Sequence, residues 1–192
     1  MTAAGTGAAA PIPRWRRGAA RAMVGAMDDR DPTLQDPDPQ DAAGPDPAGA
    51  AAITRGVRRA LAQRGFTSVT EVRLASGRRA DVLAMDDAGT VLIVEVKSCV
   101  ADFRSDQKWP EYREWCDAFY FAVDESFPTA LIPEDCGLMV ADPFGAAVLR
   151  EAPVERLAAA RRKALTLRVA LMACGRLHRQ EDPTFAPDQV SG

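Results

Sequence analysis

Three residues have types and spacing that could do chemistry together: Asp81, Glu95 and Lys97. Glu95 and Lys97 lie two apart, so on a strand they share a face. The apolar runs 80–85 and 91–96, joined by the polar Asp86-Asp87-Ala88-Gly89, read as a β-hairpin. If the turn is centred on Ala88, Asp81 stands opposite Glu95, with Cβ atoms about 5 Å apart. Two facing carboxylates in apolar surroundings repel each other and lose hydration. A divalent cation between them removes both costs, and hard oxygen ligands suit Mg²⁺ or Mn²⁺. Lys97, one side-chain step along, could orient or activate a water on that cation. A register slip of one residue would send Asp81 to the opposite face and dissolve the site.

The neighbouring elements have to hold this hairpin still. Ile53, Val57, Ala60, Leu61 and Arg64 follow helical spacing, and Gly65 supplies a stop. Residues 66–74 alternate as a strand does, and Ser76-Gly77 marks a turn. Both hairpin strands are apolar on both faces, as in a sheet covered by helices on each side. Residues 103–127 carry eight of the twelve aromatics. There Pro110 opens a short helix to Trp115, followed by a strand over 118–123. Residues 137–140 and 146–149 read as a second hairpin through Asp142-Pro143-Phe144-Gly145. A long helix is expected over 154–177, with Leu157, Ala160, Ala164, Leu167, Leu171 and Cys174 on its buried face. The order α-β-β-β-α-β-β-β-α makes one α/β domain over 51–180.

Outside that domain the text changes character. Residues 1–50 are dominated by Ala, Gly, Asp and Pro and cannot bury enough surface to offset their ordering entropy, so a disordered tail is expected. Within it, residues 15–27 could form a short basic helix, marginal in isolation. Residues 181–192 read as a flexible C-terminal tail.

Composition removes several alternatives. A single histidine, His178, excludes any site needing two. Cys99, Cys116, Cys136 and Cys174 form no CxxC pair, which suits free thiols in a reducing cytoplasm. No apolar stretch approaches the roughly 20 residues of a membrane span, and no secretory signal is evident. The 24 basic and 27 acidic residues give a net charge of −3, against an overtly basic nucleic-acid binder. Residues 1–50 hold five of the basic and seven of the acidic ones, leaving the remainder near neutral at 19 against 20. Within it, cations gather on the helix over 53–64 and around Arg161-Arg162-Lys163, which could grip a phosphate backbone or simply face solvent. Only three of the 24 basic residues are lysines, yet one stands at position 97. A flexible ammonium is wanted there and a guanidinium is a poor substitute.

Asp81 followed by Glu95-Val96-Lys97 resembles the signature of the PD-(D/E)xK nuclease superfamily, with Ala80 where that family often has Pro. More of the chain is similar to the MmcB family of bacterial DNA repair proteins. The phrases Leu-Ala-Ser-Gly-Arg-Arg-Ala-Asp (74–81), Val-Glu-Val-Lys-Ser (94–98), Asp-Phe-Arg-Ser-Asp-Gln-Lys-Trp-Pro-Glu-Tyr (102–112) and Ala-Arg-Arg-Lys-Ala-Leu-Thr-Leu-Arg (160–168) carry this likeness. The resemblance implies a restriction-endonuclease-like mixed β-sheet flanked by helices on both faces, and a role in the DNA damage response. It further implies that Asp81, Glu95 and the Val96 carbonyl hold Mg²⁺ or Mn²⁺, which polarises a scissile phosphate while Lys97 positions the attacking water.

Departures from that pattern are plain. Many superfamily members carry an acid on the first helix, whereas Arg55, Arg58, Arg59 and Arg64 are the only charges at 53–64. Glu71 is the candidate substitute. Gln107 and Tyr112, which resemble a supporting Gln-x-x-x-Tyr, lie five apart with Pro110 between them. Arg78, Arg79 and Lys108 are candidates for touching DNA backbone, Arg78 and Arg79 equally for a solvated turn. Trp109, Tyr112 and Trp115 could stack on bases but more often pack on a sheet. The leading expectation is a cytoplasmic Mg²⁺-dependent DNA nuclease working with other repair proteins and without a membrane. Its rivals are a non-catalytic DNA-binding or adaptor module, and a nuclease for RNA or a restriction-type target.

Overall fold

In the computed structural model, which describes residues 46–184, the first element opens at Asp46. Its carboxylate accepts a hydrogen bond from the Ala48 N–H, and Pro47 fills the first turn, where a missing donor costs nothing. Helix α1 (Pro47–Ala62) thus begins inside the span read as a tail. The rest of that span, with the basic segment 15–27, lies outside the described residues, as do residues 185–192. Ile53, Val57, Ala60 and Leu61 bury one stripe of α1, and Gly65 at φ 83° reverses the chain so that Phe66 N–H reaches the Leu61 carbonyl.

Strands β1 (Thr67–Arg73), β2 (Arg79–Met85) and β3 (Val91–Val96) form an antiparallel meander. Strand β4 (Ala118–Val123) runs parallel to β3, β5 (Gly137–Ala141) parallel to β4, and β6 (Ala146–Arg150) closes antiparallel on β5. The six strands lie side by side in sequence order. This is the expected mixed sheet. Helix α1 packs along one face. It comes so close to the β5–β6 turn that a Cβ on Gly56 would stand 1.8 Å from the Asp142 carbonyl oxygen.

The other face is covered by a short helix α2 (Val100–Ser105), a 3₁₀ helix (Trp109–Trp115) and α3 (Ala159–Glu181). With only six residues α2 shows no visible period, and it was not expected from the sequence. The expected α-helix after Pro110 is a 3₁₀ helix that starts one residue earlier. The aromatics of this region meet over β4: Trp109 stacks on Phe119 at 5.7 Å, Tyr112 on Phe119 at 6.1 Å, and Phe103 meets Phe121 edge-on at 5.4 Å. Trp115 carries the Arg161 guanidinium over its ring at 4.9 Å. These rings are used in packing, so the base-stacking expectation gives way to the core reading.

Two expectations for the last helix are overturned. It starts at Ala159, not 154, because Glu155 N–H goes to the Asp117 carbonyl and Leu157 N–H to the Asp117 carboxylate, both at 2.9 Å. These bonds pin residues 155–157 beside Asp117, and Ala158 at ψ 137° is still outside the helix. Its rotation also differs. Arg162 is pulled onto Asp117, which turns Leu165, Val169 and Met172 inward and leaves Leu167 and Leu171 exposed. Cys99, Cys116 and Cys136 are buried free thiols, and Cys174 is an exposed one. Among the described residues, no helix is long and apolar enough to cross a membrane.

Candidate functional site

The β2–β3 ladder pairs Val82 with Val94, Leu83 with Ile93 and Ala84 with Leu92. Extended by one step, this register sets Asp81 opposite Glu95, as the hairpin arithmetic required. The two carboxylates are interlocked with the opposing strands. Asp81 N–H donates to Glu95 Oε1 at 3.2 Å, and Val96 N–H donates to Asp81 Oδ2 at 2.9 Å. Each side chain therefore replaces a ladder bond at the point where the strands part. These bonds use one oxygen of each carboxylate and leave Oδ1 and Oε2 for other partners.

The electrostatics of the pair are unfavourable to two negative charges. Burial pushes the Asp81 carboxyl up, only partly opposed by the Val96 N–H and the Lys97 charge. Burial, then the charge of Asp81, pushes Glu95 up to about 9, against the Asp81 N–H and Lys97. Among the described residues, no cation forms an ion pair with either one.

Lys97 is buried beside them, its backbone N–H on the Ala122 carbonyl at 2.9 Å. Burial alone would lower its pKa, but a 2.7 Å ion pair to Asp106 and the nearby Asp102, 3.9 Å away, raise it instead. The ammonium is thus held charged by the element that follows it. Asp102 and Asp106 went unnoticed in the sequence. Their signal was there: a four-residue spacing just after Lys97 brings two acids to one side of a helical turn.

The supporting residues divide. Tyr112 is buried next to the pair, donates its hydroxyl to the Arg79 carbonyl at 3.0 Å, and has its pKa raised by burial and by the charges of Glu95 and Asp81. Gln107 is exposed, its amide engaged with the Arg104 carbonyl at 2.8 Å. Glu71 falls at the position opposite Asp81, between the pairs Thr70–Val82 and Val72–Ala80, but it breaks the ladder with φ 56°. Its carboxylate binds Arg79 at 2.6 Å. Arg78 makes two 2.8 Å bonds to Glu111, and Lys108 is exposed. Helix α1 itself carries no acid; its N-cap, Asp46, donates its N–H to Ser98 Oγ at 3.2 Å.

The donor set fits a hard divalent cation. Asp81 and Glu95 present oxygens whose ionisation burial opposes, and a cation would reverse that opposition. Among the described residues, no group of three or more His, Cys, Asp or Glu side chains is placed to hold a metal. Two carboxylates would then leave the remaining positions to the Val96 carbonyl and water.

The family model described as "DNA repair protein MmcB-like" matches residues 37–184. A solved structure, that of SPO1766, a protein of unknown function from Silicibacter pomeroyi, is 41% identical with a TM-score of 0.70. The match covers 72% of this chain and 96% of that one. No match is found among curated proteins.

Proposed function

The chain belongs to the MmcB-like family of DNA repair proteins, and we propose that its Asp81–Glu95–Lys97 site hydrolyses DNA phosphodiester bonds with Mg²⁺ or Mn²⁺. The observation that carries this reading is the interlocked pair of carboxylates at the splayed end of β2 and β3, Glu95 buried and Asp81 half-buried, with no cation ion-paired to either among the described residues. When bound, the ion would supply Lewis-acid polarisation of the phosphate and activation of water. Asp81 and Glu95 would hold it, with the Val96 carbonyl. Lys97, kept charged by Asp106 and Asp102, counters negative charge that develops beside them. Tyr112 fixes the entry of β2 through the Arg79 carbonyl, so the Asp81 backbone cannot drift. We place this activity in the cytoplasm, where the three buried thiols stay reduced.

A second reading, a DNA-binding or adaptor module without turnover, is favoured by the ion pair that already occupies Lys97, and its adaptor form by those that occupy Arg78 and Arg79. Lys97 is engaged by Asp106, Arg78 by Glu111 and Arg79 by Glu71. One experiment separates the two. Purified protein is incubated with single-stranded, nicked and branched DNA in Mg²⁺ or Mn²⁺, beside Asp81→Ala and Lys97→Ala. The nuclease reading expects cleavage that falls by orders of magnitude in both variants. Cleavage that survives both would remove the site. No cleavage, with binding that weakens as salt rises, would select the module.

A further inference from the structure

Helix α1 is charged in one sense only. Arg55, Arg58 and Arg59 are exposed, and the helix holds no acid. Among the described residues, none of the three forms an ion pair. Arg58 and Arg59 stand three and four residues after Arg55, so the guanidiniums share one side of the helix. With Thr67 and Ser68 of β1 they line a groove of about 580 Å³. Arg58 is aimed across it, its Nε donating to Ser68 Oγ at 3.2 Å. Arg78 and Arg79, by contrast, are already answered by Glu111 and Glu71.

Next to these arginines an aromatic ring is held out into solvent. Phe144, 76% exposed, lies in the turn between β5 and β6. A single exposed apolar side chain is ordinary, but a ring on a loose turn can fold back onto its own protein. This turn is fixed from three sides. Asp142 Oδ1 accepts from the Phe144 and Gly145 N–H groups at 2.7 and 2.8 Å. Arg59 Nη1 donates to the Pro143 carbonyl at 3.0 Å, which ties the turn to the arginines. A Cβ on Gly56 would stand 2.4 Å from the Gly145 carbonyl oxygen, so the turn sits directly on α1.

Ring and guanidiniums both lead to the candidate site. Strands β3, β4 and β5 are parallel, so Glu95, Lys97 and the β5–β6 turn share one end of the sheet. Two strand spacings, about 10 Å, separate β3 from β5 there. Helix α1 starts at that end too, where Asp46 N–H meets Ser98 Oγ, and Arg55 follows about 14 Å along its axis.

We propose, resting on the reading of Asp81 and Glu95 as a DNA-cleaving site, that Phe144 and the α1 arginines bind a single-stranded stretch of the substrate. The ring stacks on an unpaired base, and Arg55, Arg58 and Arg59 take neighbouring phosphates. An acidic peptide would answer the arginines alone, and a duplex hides its base faces within the stack. Single-stranded DNA matches both groups at once.

The test reads fluorescence anisotropy of the full chain in EDTA, where metal-dependent cleavage is silent. The probes are a labelled oligothymidylate and a duplex of equal length. The single strand should bind at least about tenfold more tightly than the duplex. Phe144→Ala should weaken single-strand binding by about five- to a hundredfold and leave duplex binding unchanged, and Phe144→Trp should keep the affinity. Arg55→Gln with Arg58→Gln and Arg59→Gln should make the slope of log affinity on log salt shallower by about 2, as three phosphate contacts are lost. All four side chains are exposed, so circular dichroism should not change. Equal affinity for duplex, indifference to Phe144→Ala, or an unchanged salt slope in the triple variant would overturn the proposal. So would polyglutamate that binds as tightly as the oligothymidylate, which would assign the groove to an acidic protein partner. Single-strand binding of the expected kind by a chain that cleaves nothing in Mg²⁺ would uphold this surface and end the catalytic reading alone.

Discussion

Strand β3 has a buried acidic site at each end, and the two are built oppositely. At its start, Asp117 is 4% exposed and both of its oxygens are satisfied twice. Oδ2 accepts from Val91 N–H and an Arg162 nitrogen, each at 2.7 Å; Oδ1 accepts from Leu157 N–H at 2.9 Å and the other Arg162 nitrogen at 2.6 Å. Burial alone would raise the Asp117 pKa, yet Arg162 and these N–H groups bring it below the usual value. At the far end, Asp81 and Glu95 receive only backbone donors, and both are pushed up. One carboxylate is a finished clamp between β3, β4 and α3. The other two form a site whose charge is compensated by nothing hydrogen-bonded to it. Burial of an acid therefore does not tell the two sites apart; compensation does.

The largest expected effect breaks the clamp. Asp117→Ala takes the counter-charge from Arg162, which keeps the Gly89 and Leu157 carbonyls, leaves two buried N–H groups unpaired, and should cost about 3 kcal/mol. Urea unfolding measures this directly. A loss below about 1 kcal/mol would mean that Asp117 is no more a structural residue than Asp81. Next comes the converse substitution. Asp81→Asn removes a charge from an uncompensated pair, so the metal-free protein should lose no stability and is expected to gain about 1 kcal/mol. Mg²⁺ at one hundred times its dissociation constant should stabilise the unsubstituted chain by about 2.7 kcal/mol, and that increment should vanish in Asp81→Asn. Equal stabilisation of both chains would place the cation elsewhere.

Legibility in the sequence divides along the same line. The hairpin site was readable because its logic is local: a short polar turn fixes the register, and the period of two then sets Asp81 against Glu95. The cover of helices on both faces was readable from the apolar runs, whereas the mixed sheet was implied by the family resemblance. Asp117 was not singled out, because its partners Val91, Leu157 and Arg162 lie 26, 40 and 45 residues away. For the same reason the start and rotation of α3 were misjudged. Its residues offer two apolar stripes, and only the ion pair to Asp117 decides which faces inward. Lys97 was found, but not Asp102 and Asp106, which hold it.

A smaller effect tests the clamp by pH. Asp117 has a depressed pKa when folded, so its contribution is present above the ordinary carboxylate range near pH 4 and is lost as pH falls through the folded value. Stability should therefore drop more steeply below about pH 4 in the unsubstituted chain than in Asp117→Asn, whose starting stability is lower. Thermal unfolding from pH 6 to pH 3 reads the difference. Parallel curves would show that the Arg162 contact is not what lowers this carboxyl.

The smallest effect sharpens the proposed metal-binding end. Glu71, in register with Asp81, holds a left-handed backbone at φ 56°, which costs an L-residue with a Cβ about 1–2 kcal/mol. Its ion pair with Arg79 is exposed and offsets little of that. Nothing in the packing of β1 demands the kink, since Val72 and Leu74, which follow it, are buried normally. Glu71→Gly removes the strain at the expense of a more flexible unfolded chain, and should raise stability by up to about 1 kcal/mol. If the kink exists to keep β1 from pairing across Asp81, the same substitution should weaken the Mg²⁺-induced stabilisation while leaving the Asp117 clamp and its acid profile untouched. A gain in stability with an unchanged response to Mg²⁺ would make the kink a feature of the sheet edge alone, and Glu71 no part of the site.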